Sequence, residues 1–185
     1  MRPRIGVLIT AVSRSINTSS NFVFEAGGYA EELGYDTMWM GETWGRDAVS
    51  VLSGVACDTS SIRLGTAVMS VFSRSPALLA QTAATLDEIS GGRFLLGLGA
   101  SSETLTERWH GVPFERPLAR TREYVDIIRQ VLSGNRLDYD GEFYKVKGMA
   151  LAFEPVREDL PIYFGSLGPK NVELTGEMAD GWVPA

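Results

Sequence analysis

The stretch RLGTAVMSVFSRSPALLAQTAATLDEISGGRFLLGLGASS, residues 63–102, decides the fold of this chain. The apolar run at residues 62–69 predicts one buried strand, and the apolar run at residues 94–98 predicts a second. Leucine and alanine residues recur at helical spacing between these two runs. Because two strands joined by one short helix pair in parallel within a sheet, the stretch predicts a βαβ unit.

The boundaries of the central helix carry their own signals. Ser75 is a favourable N-cap residue, and Pro76 is suited to the first helical position. Gly91-Gly92 can adopt the left-handed backbone conformation at which many helices end. Polar residues follow the ends of both strands, which is where α/β proteins carry their chemistry.

The same alternation of strands and helices extends along the rest of the chain. We predict strands at residues 4–10, 35–40, 160–164 and 181–183, the first of them a buried run, and helices at residues 22–33, 47–57, 117–132 and 169–178. This pattern is typical of a parallel sheet, either open and doubly wound or closed into a barrel. The first strand–helix turn lacks a G-x-G-x-x-G cluster, which disfavours a dinucleotide-binding fold. Because only five or six strands are predicted, a barrel of eight would be incomplete.

A long excursion interrupts this alternation at residues 101–160. It contains a short helical piece at residues 104–109 and a polar hairpin at residues 137–146, with its turn at Asp140-Gly141. We expect the excursion to be an insertion within a single domain that spans residues 1–185.

Composition excludes several classes of partner. The chain has 185 residues, a net charge of −6 and 44% hydrophobic residues, so it can form a substantial core and is poorly suited to bind nucleic acid. The single cysteine, Cys57, cannot form an internal disulfide, and its apolar neighbours predict a buried side chain. Because no apolar run has the length of a membrane span or of a signal-peptide core, we expect a cytoplasmic protein without a membrane partner.

Ordered short motifs run through the whole chain. They are Gly65-Thr66, Arg74-Ser75-Pro76, Ala80-Gln81, Thr85-Leu86-Asp87, Ser90-Gly91-Gly92-Arg93-Phe94, Leu96-Gly97-Leu98-Gly99, Trp109-His110-Gly111-Val112-Pro113-Phe114, Pro161-Ile162-Tyr163, Leu167-Gly168-Pro169-Lys170-Asn171 and Glu177-Met178-Ala179-Asp180-Gly181-Trp182. The set resembles the luciferase-like monooxygenase superfamily, and within it the deazaflavin-dependent oxidoreductases that include methylenetetrahydromethanopterin reductase.

The resemblance implies a fold and an activity. The fold is a (βα)8 barrel of the TIM type with an insertion, here incomplete because the seventh and eighth strands have no counterpart. The activity is hydride transfer between a coenzyme of the 8-hydroxy-5-deazaflavin type and a small organic substrate. The alternatives are a flavin mononucleotide (FMN)-dependent monooxygenase and a non-catalytic truncated barrel that acts as a partner subunit or fragment. No metal is implied.

Three residues are catalytic candidates, two of them (Glu42 and Glu103) through the resemblance, and each has a structural alternative. Glu42 would contact the ring or the substrate, or would cap a neighbouring helix as a surface residue; Thr43 follows it where similar enzymes have histidine. Glu103 would donate a proton, or would favour a helix dipole from the first turn. His110, the only histidine, would be catalytic or would pack the insertion against the barrel.

Cofactor contacts are implied at three strand ends. After the third strand, similar enzymes have a bulge with a non-prolyl cis peptide, which here would join Ala67 and Val68, while Ser70 would present a hydroxyl to the ring. The other candidates follow the fourth and fifth strands, and they are Gly99, Ala100, Ser101, Gly165, Ser166 and Gly168.

Two further expectations concern the partner of Arg74 and the exposed edges of the sheet. Arg74 would reach an anionic ligand at a helix N-terminus or would pair with a loop carboxylate. An unclosed barrel exposes two parallel sheet edges, so we expect a homodimer or association with a chain that completes the barrel.

Overall fold

The computed structural model describes residues 4–10 and 20–184, without the side chains of residues 20 and 21. The strands are β1 (Gly6–Ile9), β2 (Thr37–Met40), β3 (Arg63–Thr66), β4 (Met69–Ser70), β5 (Phe94–Gly99), β6 (Leu137–Asp140), β7 (Lys145–Met149), β8 (Ile162–Phe164) and β9 (Gly181–Trp182). The helices are α1 (Ser20–Glu32), α2 (Ala48–Asp58), α3 (Pro76–Ile89), α4 (Pro117–Leu132) and α5 (Pro169–Met178). A short π-helical segment, Thr104–Trp109, lies between β5 and α4.

One curled parallel sheet forms the centre of the molecule. Its strand order is β1-β2-β3-β5-β8-β9, and β4 pairs with the end of β5. The helices pack in chain order, α1 on α2, α2 on α3, α3 on α4 and α4 on α5. Because successive parallel strands with a continuous layer of helices are the first units of a (βα)8 barrel, the expected incomplete barrel is confirmed.

The helix boundaries follow the sequence signals. The Ser75 side chain accepts a hydrogen bond from the backbone N–H of Leu78 at 3.2 Å, and α3 begins at Pro76 as predicted. After α3, Gly91 and Gly92 have φ values of 63° and 82°, a conformation that most residues adopt only with strain. The strand–helix–strand unit of residues 63–102 is therefore confirmed at both ends of its helix.

Three expectations about strands and burial are corrected by the structure. The strand expected over residues 62–69 is interrupted at Ala67 and Val68, where the chain bulges between β3 and β4. The first strand is not buried: β1 alternates between exposed and half-buried residues because it lies at the sheet edge and has only β2 beside it. Cys57 is exposed, because the buried face of α2 is formed by residues such as Val55 and Ala56.

Two aromatic side chains fill the concave side of the sheet. The rings of Trp39 on β2 and Tyr163 on β8 meet edge to face, with their centroids 5.4 Å apart. Each ring lies on a glycine of a neighbouring strand: a Cβ at Gly65 would lie 2.4 Å from the Trp39 ring, and one at Gly181 would lie 2.2 Å from the Tyr163 ring. The absence of side chains at these glycines makes the room that the two rings occupy.

The insertion is held together by hydrogen bonds within it, and it contacts the barrel by stacking. In the predicted hairpin, β6 and β7 pair antiparallel, and the Glu123 carboxylate of α4 accepts backbone N–H bonds from Glu142, Phe143 and Tyr144. The Arg120 guanidinium lies 4.9 Å from the ring centroid of Phe72, which follows β4. The insertion therefore supports the loop after β4 from outside the barrel.

A carboxylate also connects α1 to the loop that precedes β3. Glu31 accepts backbone N–H bonds from Ser60, Ser61 and Ile62 and a hydroxyl bond from Ser61. These bonds, the one from Ile62 most of all, outweigh the effect of burial and lower the pKa of Glu31 from 4.5 to about 2. Because the folded pKa lies below the unfolded value, Glu31 stabilises the protein above pH 4.5, and this contribution is lost as the pH falls toward 2.

We expect Glu31→Gln to lower the free energy of unfolding by about 1–2 kcal/mol at pH 7, since an amide oxygen is a weaker acceptor than a carboxylate. The difference between variant and wild type should shrink as the pH falls from 4.5 toward 2. Urea unfolding at a series of pH values measures this, with Glu32→Gln on the exposed side of α1 as the matched control. A constant difference across that pH range would contradict the account.

No helix within the described ranges, residues 4–10 and 20–184, is both long and apolar enough to cross a membrane.

Candidate functional site

A cavity of about 290 Å³ opens at the carboxyl ends of the strands, and we call it the mouth cavity. Parallel strands bring these ends to one edge of the sheet, so segments far apart in sequence meet there. The lining residues come from β1, from β4 and from the segments after β1, β2, β3 and β5, and they are Leu8, Thr10, Gly41, Glu42, Thr43, Gly45, Arg46, Ala67, Val68, Ser70, Ser101 and Leu105. Five residues expected from the sequence therefore line one cavity: Glu42, Ala67, Val68, Ser70 and Ser101.

The bulge between β3 and β4 shapes the wall of the mouth cavity. The Ala67–Val68 peptide bond is cis, as the resemblance implied. The Val68 side chain packs against two glycines of the neighbouring strand ends: a Cβ at Gly99 would lie 2.6 Å from it, and a Cβ at Gly165 would lie 2.8 Å from it. Two of the glycines proposed as cofactor contacts thus have a direct structural role, because they accommodate Val68.

Arg74 holds the Glu42 carboxylate in place at the edge of the mouth cavity. Its guanidinium bonds both Glu42 oxygens, and its Nη2 also donates to Asp47 Oδ2 at 2.7 Å. Glu42 Oε2 further accepts the backbone N–H of Ala48, in the first turn of α2, at 3.1 Å. Of the two alternatives for Arg74, the structure shows pairing with loop carboxylates, and for Glu42 it shows the helix-capping contact.

The surroundings of Asp47 and Arg74 favour the charged forms of these two side chains. Burial raises the pKa of the Asp47 carboxyl, but hydrogen bonds from Ser50 and the charge of Arg74 outweigh burial and leave the pKa below its ordinary value. Burial lowers the pKa of the Arg74 guanidinium, but Glu42 and Asp47 outweigh burial and leave the pKa above its ordinary value. The Tyr124 hydroxyl of α4 donates to the Arg74 carbonyl at 3.0 Å, and burial raises its pKa, so it remains a neutral donor.

A second cavity, also of about 290 Å³, lies beside the first, and we call it the side cavity. It shares Glu42, Thr43, Gly45 and Arg46 with the mouth cavity and adds Trp44, Asp47, Ser73, Arg74, Trp109 and His110. His110 therefore lines a cavity adjacent to the mouth cavity. Trp109, the last residue of the π-helical segment, lines the same cavity.

Other sequence-predicted residues lie outside both linings. Glu103 is exposed and precedes the π-helical segment. Ser166 is buried, and its hydroxyl bonds the hydroxyl of Thr175 in α5 at 2.6 Å, so its side chain faces the helix. Gly168 is the exposed N-cap residue of α5, and Ala100 is half-buried after β5. Their roles as catalytic or cofactor-binding residues remain predictions.

Sequence reasoning missed several lining residues. Leu8 lines the mouth cavity from β1 and Thr10 lines it from the residue after β1, and Arg46 lines both cavities from the segment after β2. Their position at the carboxyl end of a predicted parallel strand was the available signal. Trp109 was recognised only as part of a sequence motif. The spacing of residues does not show that the π-helical segment brings Trp109 beside the segment after β2.

The fold and the site together define a class. A parallel barrel sheet, with a cavity at the carboxyl ends of its strands, is the scaffold on which barrel enzymes place their chemistry. Residues 4–185 match the model of the luciferase-like monooxygenase family, and the chain belongs to that family. The resemblance inferred from the sequence motifs is thereby confirmed.

Relatives and solved structures agree with this assignment. The chain is 44% identical over 167 residues to a Mycobacterium tuberculosis protein described as a coenzyme F420-dependent oxidoreductase, a match that covers 84% of this chain and 48% of the relative. It is 42% identical over 153 residues to 5,10-methylenetetrahydromethanopterin reductase of Archaeoglobus fulgidus, covering 82% and 45%. The solved coenzyme F420-dependent tetrahydromethanopterin reductase of Methanopyrus kandleri superposes with a TM-score of 0.86 at 27% identity, over 97% of this chain and 55% of that one. The chain spans about half the length of the curated relatives it matches.

Proposed function

We propose that this chain belongs to a coenzyme F420-dependent oxidoreductase and that the mouth cavity receives the deazaflavin ring. The observation that carries this proposal is the apolar wall that the Ala67–Val68 bulge builds at the strand ends. Relatives whose names specify coenzyme F420 support the choice of cofactor. When bound, a deazaflavin supplies a two-electron hydride carrier.

The residues of the mouth cavity suit a flat conjugated ring. Leu8, Val68 and Leu105 offer apolar surface, and Thr10 and Ser101 offer hydroxyls at the rim. The cavity volume of about 290 Å³ lies just below the range for ligand sites, roughly 300–1,000 Å³. The Ser70 hydroxyl is oriented by the backbone N–H of Phe72, which donates to its oxygen at 3.1 Å, so it can face the ring in a defined direction.

We assign the remaining candidates to parts of the same complex. The start of α5, with Gly168 as N-cap and Pro169 first in the helix, presents the positive end of a helix dipole to an anionic part of the cofactor. Glu42, held by Arg74, orients the ligand at the wall between the two cavities. His110 faces the substrate side. Hydride transfer requires a substrate carbon beside the ring, and the side cavity has room for such a substrate.

Titration of the purified chain with F420, followed by cofactor fluorescence, tests the proposal. We expect binding by wild type, and about tenfold weaker binding by Thr10→Trp, because an indole at this exposed rim position would fill the mouth cavity. Thr104→Trp, an exposed threonine outside the lining, is the matched control and should bind as wild type does.

The same titration distinguishes the alternatives. Binding of FMN in preference to F420 would favour the flavin-dependent monooxygenase. Failure of wild type to bind either compound would overturn the proposal for this chain and favour a non-catalytic half-barrel. Equal effects of the two tryptophan variants would contradict the assignment of the ring to the mouth cavity.

A further inference from the structure

The side cavity has a composition of its own that separates it from the mouth cavity. It is as large, about 290 Å³, and it shares the lining residues Glu42, Thr43, Gly45 and Arg46 with the mouth cavity. A ligand in one cavity would therefore lie close to a ligand in the other. The chemistry of the side cavity should then indicate what kind of second molecule it accepts.

Charge in the side cavity is balanced. Glu42 and Asp47 carry the negative charges, and Arg46 and Arg74 carry the positive charges. The Arg74 guanidinium is committed to carboxylates, since it bonds both oxygens of Glu42 and Oδ2 of Asp47. A phosphate group entering this cavity would meet two carboxylates and would have to compete with them for Arg74. Such an arrangement disfavours a phosphate ester.

Two indoles give the side cavity its recognition surface. Trp44 is 57% exposed and Trp109 is 62% exposed, and both residues line the cavity. Exposed tryptophans offer a flat apolar face and one N–H donor each. The hydroxyl of Thr43 and the imidazole of His110 add polar groups that carry no negative charge.

We propose that the side cavity is a binding site for a neutral, flat, conjugated compound and that it discriminates against phosphate esters. In the reaction this compound would be the hydride partner of the cofactor, a part of the inference that rests on the proposed function. The binding selectivity itself rests only on Arg74, its two carboxylates and the two indoles.

A matched pair of probes tests the selectivity. 2-Naphthol is flat and neutral, and 2-naphthyl phosphate has the same ring system with an anionic group. In 15N-labelled protein the chain's four tryptophans give indole N–H signals. The variants Trp44→Phe and Trp109→Phe each lose one signal, which identifies the signals of Trp44 and Trp109. We expect 2-naphthol to shift the signals of Trp44 and Trp109 and to bind at least about tenfold more tightly than 2-naphthyl phosphate.

The other two tryptophans are internal controls. Trp39 packs against Tyr163 in the barrel interior, and the Trp182 indole donates to the carbonyl of Ser166 at 2.8 Å. Neither lines the side cavity, so their signals should remain unchanged. We expect Trp109→Ala to weaken 2-naphthol binding roughly three- to tenfold, which is the range for loss of one aromatic contact.

A charge variant tests the role assigned to Arg74. Asp47→Asn keeps an N-cap residue at the start of α2, so the fold is retained, but it removes one carboxylate from Arg74. We expect 2-naphthyl phosphate to bind this variant more tightly than it binds wild type, while 2-naphthol binding changes little. A gain for the phosphate ester would tie the selectivity to the carboxylate–Arg74 group.

Three outcomes would overturn the inference: tighter binding of the phosphate ester by wild type, shifts confined to Trp39 or Trp182, or no gain for the phosphate ester in Asp47→Asn. These measurements need no F420. Failure of F420 to bind, with naphthol still bound between Trp44 and Trp109, would overturn the proposed cofactor and leave the selectivity of the side cavity standing.

Discussion

Gly97→Ala is expected to prevent the chain from folding, or to cost more than about 4–5 kcal/mol of stability if folded protein is recovered. Gly97 lies in the middle of β5, and a Cβ built there would lie 1.7 Å from the carbonyl oxygen of Thr66 and 2.8 Å from its carbonyl carbon. Both are backbone atoms of the adjacent β3, so no rotamer change relieves the contact. The strands would have to separate.

Separation of β3 and β5 is costly because Thr66 and Gly97 are also bonded to each other. The Thr66 hydroxyl donates to the Gly97 carbonyl and accepts the Gly97 N–H, each at 2.8 Å, and both residues are buried. Moving the strands apart would leave these polar groups buried without partners. The bulge that shapes the mouth cavity begins at the next residue, Ala67, so the cavity would be lost as well.

Soluble yield, far-ultraviolet circular dichroism and urea unfolding measure the effect. The matched control is Gly176→Ala in α5, where a Cβ would meet nothing within 4 Å; it should gain about 0.5–1 kcal/mol because alanine is the better helix former. A folded Gly97→Ala protein within about 1 kcal/mol of wild type would show that β3 and β5 are less closely packed than described.

Arg157→Met is expected to destabilise the protein by about 3–5 kcal/mol, the usual cost of leaving a buried charge without its partner. The Asp87 side chain on α3 is 1% exposed and is bonded by two nitrogens of Arg157. Arg157 also donates to the carbonyl of Phe94 at 2.6 Å, which fixes the returning end of the insertion against α3 and β5. Methionine has a similar length but offers no donor.

A surface pair provides the control. Arg122 pairs with Glu177, and both side chains are about half exposed, so Arg122→Met should cost less than about 1 kcal/mol. The double variant Asp87→Leu/Arg157→Met removes both charges and should recover much of the loss. Urea unfolding measures all three variants. An effect of Arg157→Met no larger than that of Arg122→Met would contradict a buried, stabilising contact.

The order and type of the elements could be predicted because each has a local cause. Ser75-Pro76 and Gly91-Gly92 act on their own helix, and the apolar runs at residues 94–98 and 160–164 are long enough to mark buried strands. The interruption at Ala67–Val68 came only from the resemblance, because neither residue carries a turn signal. The exposure of Cys57 depends on the rotation of α2 about its axis, which one cysteine among apolar neighbours does not fix.

The sequence was sufficient to predict that the site residues lie at the strand ends, but not which side chains they contact. Glu42, Ser70 and Ser101 follow strands that end at the same edge, so their convergence followed from the parallel sheet. The pairing of Arg74 with Glu42 and Asp47 spans about thirty residues and depends on how α2 and α3 begin side by side. Ser166 was placed correctly along the chain, but the direction of its hydroxyl is set by Thr175 on the following helix.

The edge-to-face contact of Trp39 and Tyr163 gives the molecule an optical signature. Two aromatic chromophores with centroids 5.4 Å apart couple their electronic transitions, and the sign and size of the resulting near-ultraviolet circular dichroism depend on their mutual angle of 61°. The two rings belong to β2 and β8, three strands apart in the sheet order. Any change in sheet curvature, on ligand binding or on association with another chain, would therefore be recorded by an intrinsic signal that requires no label.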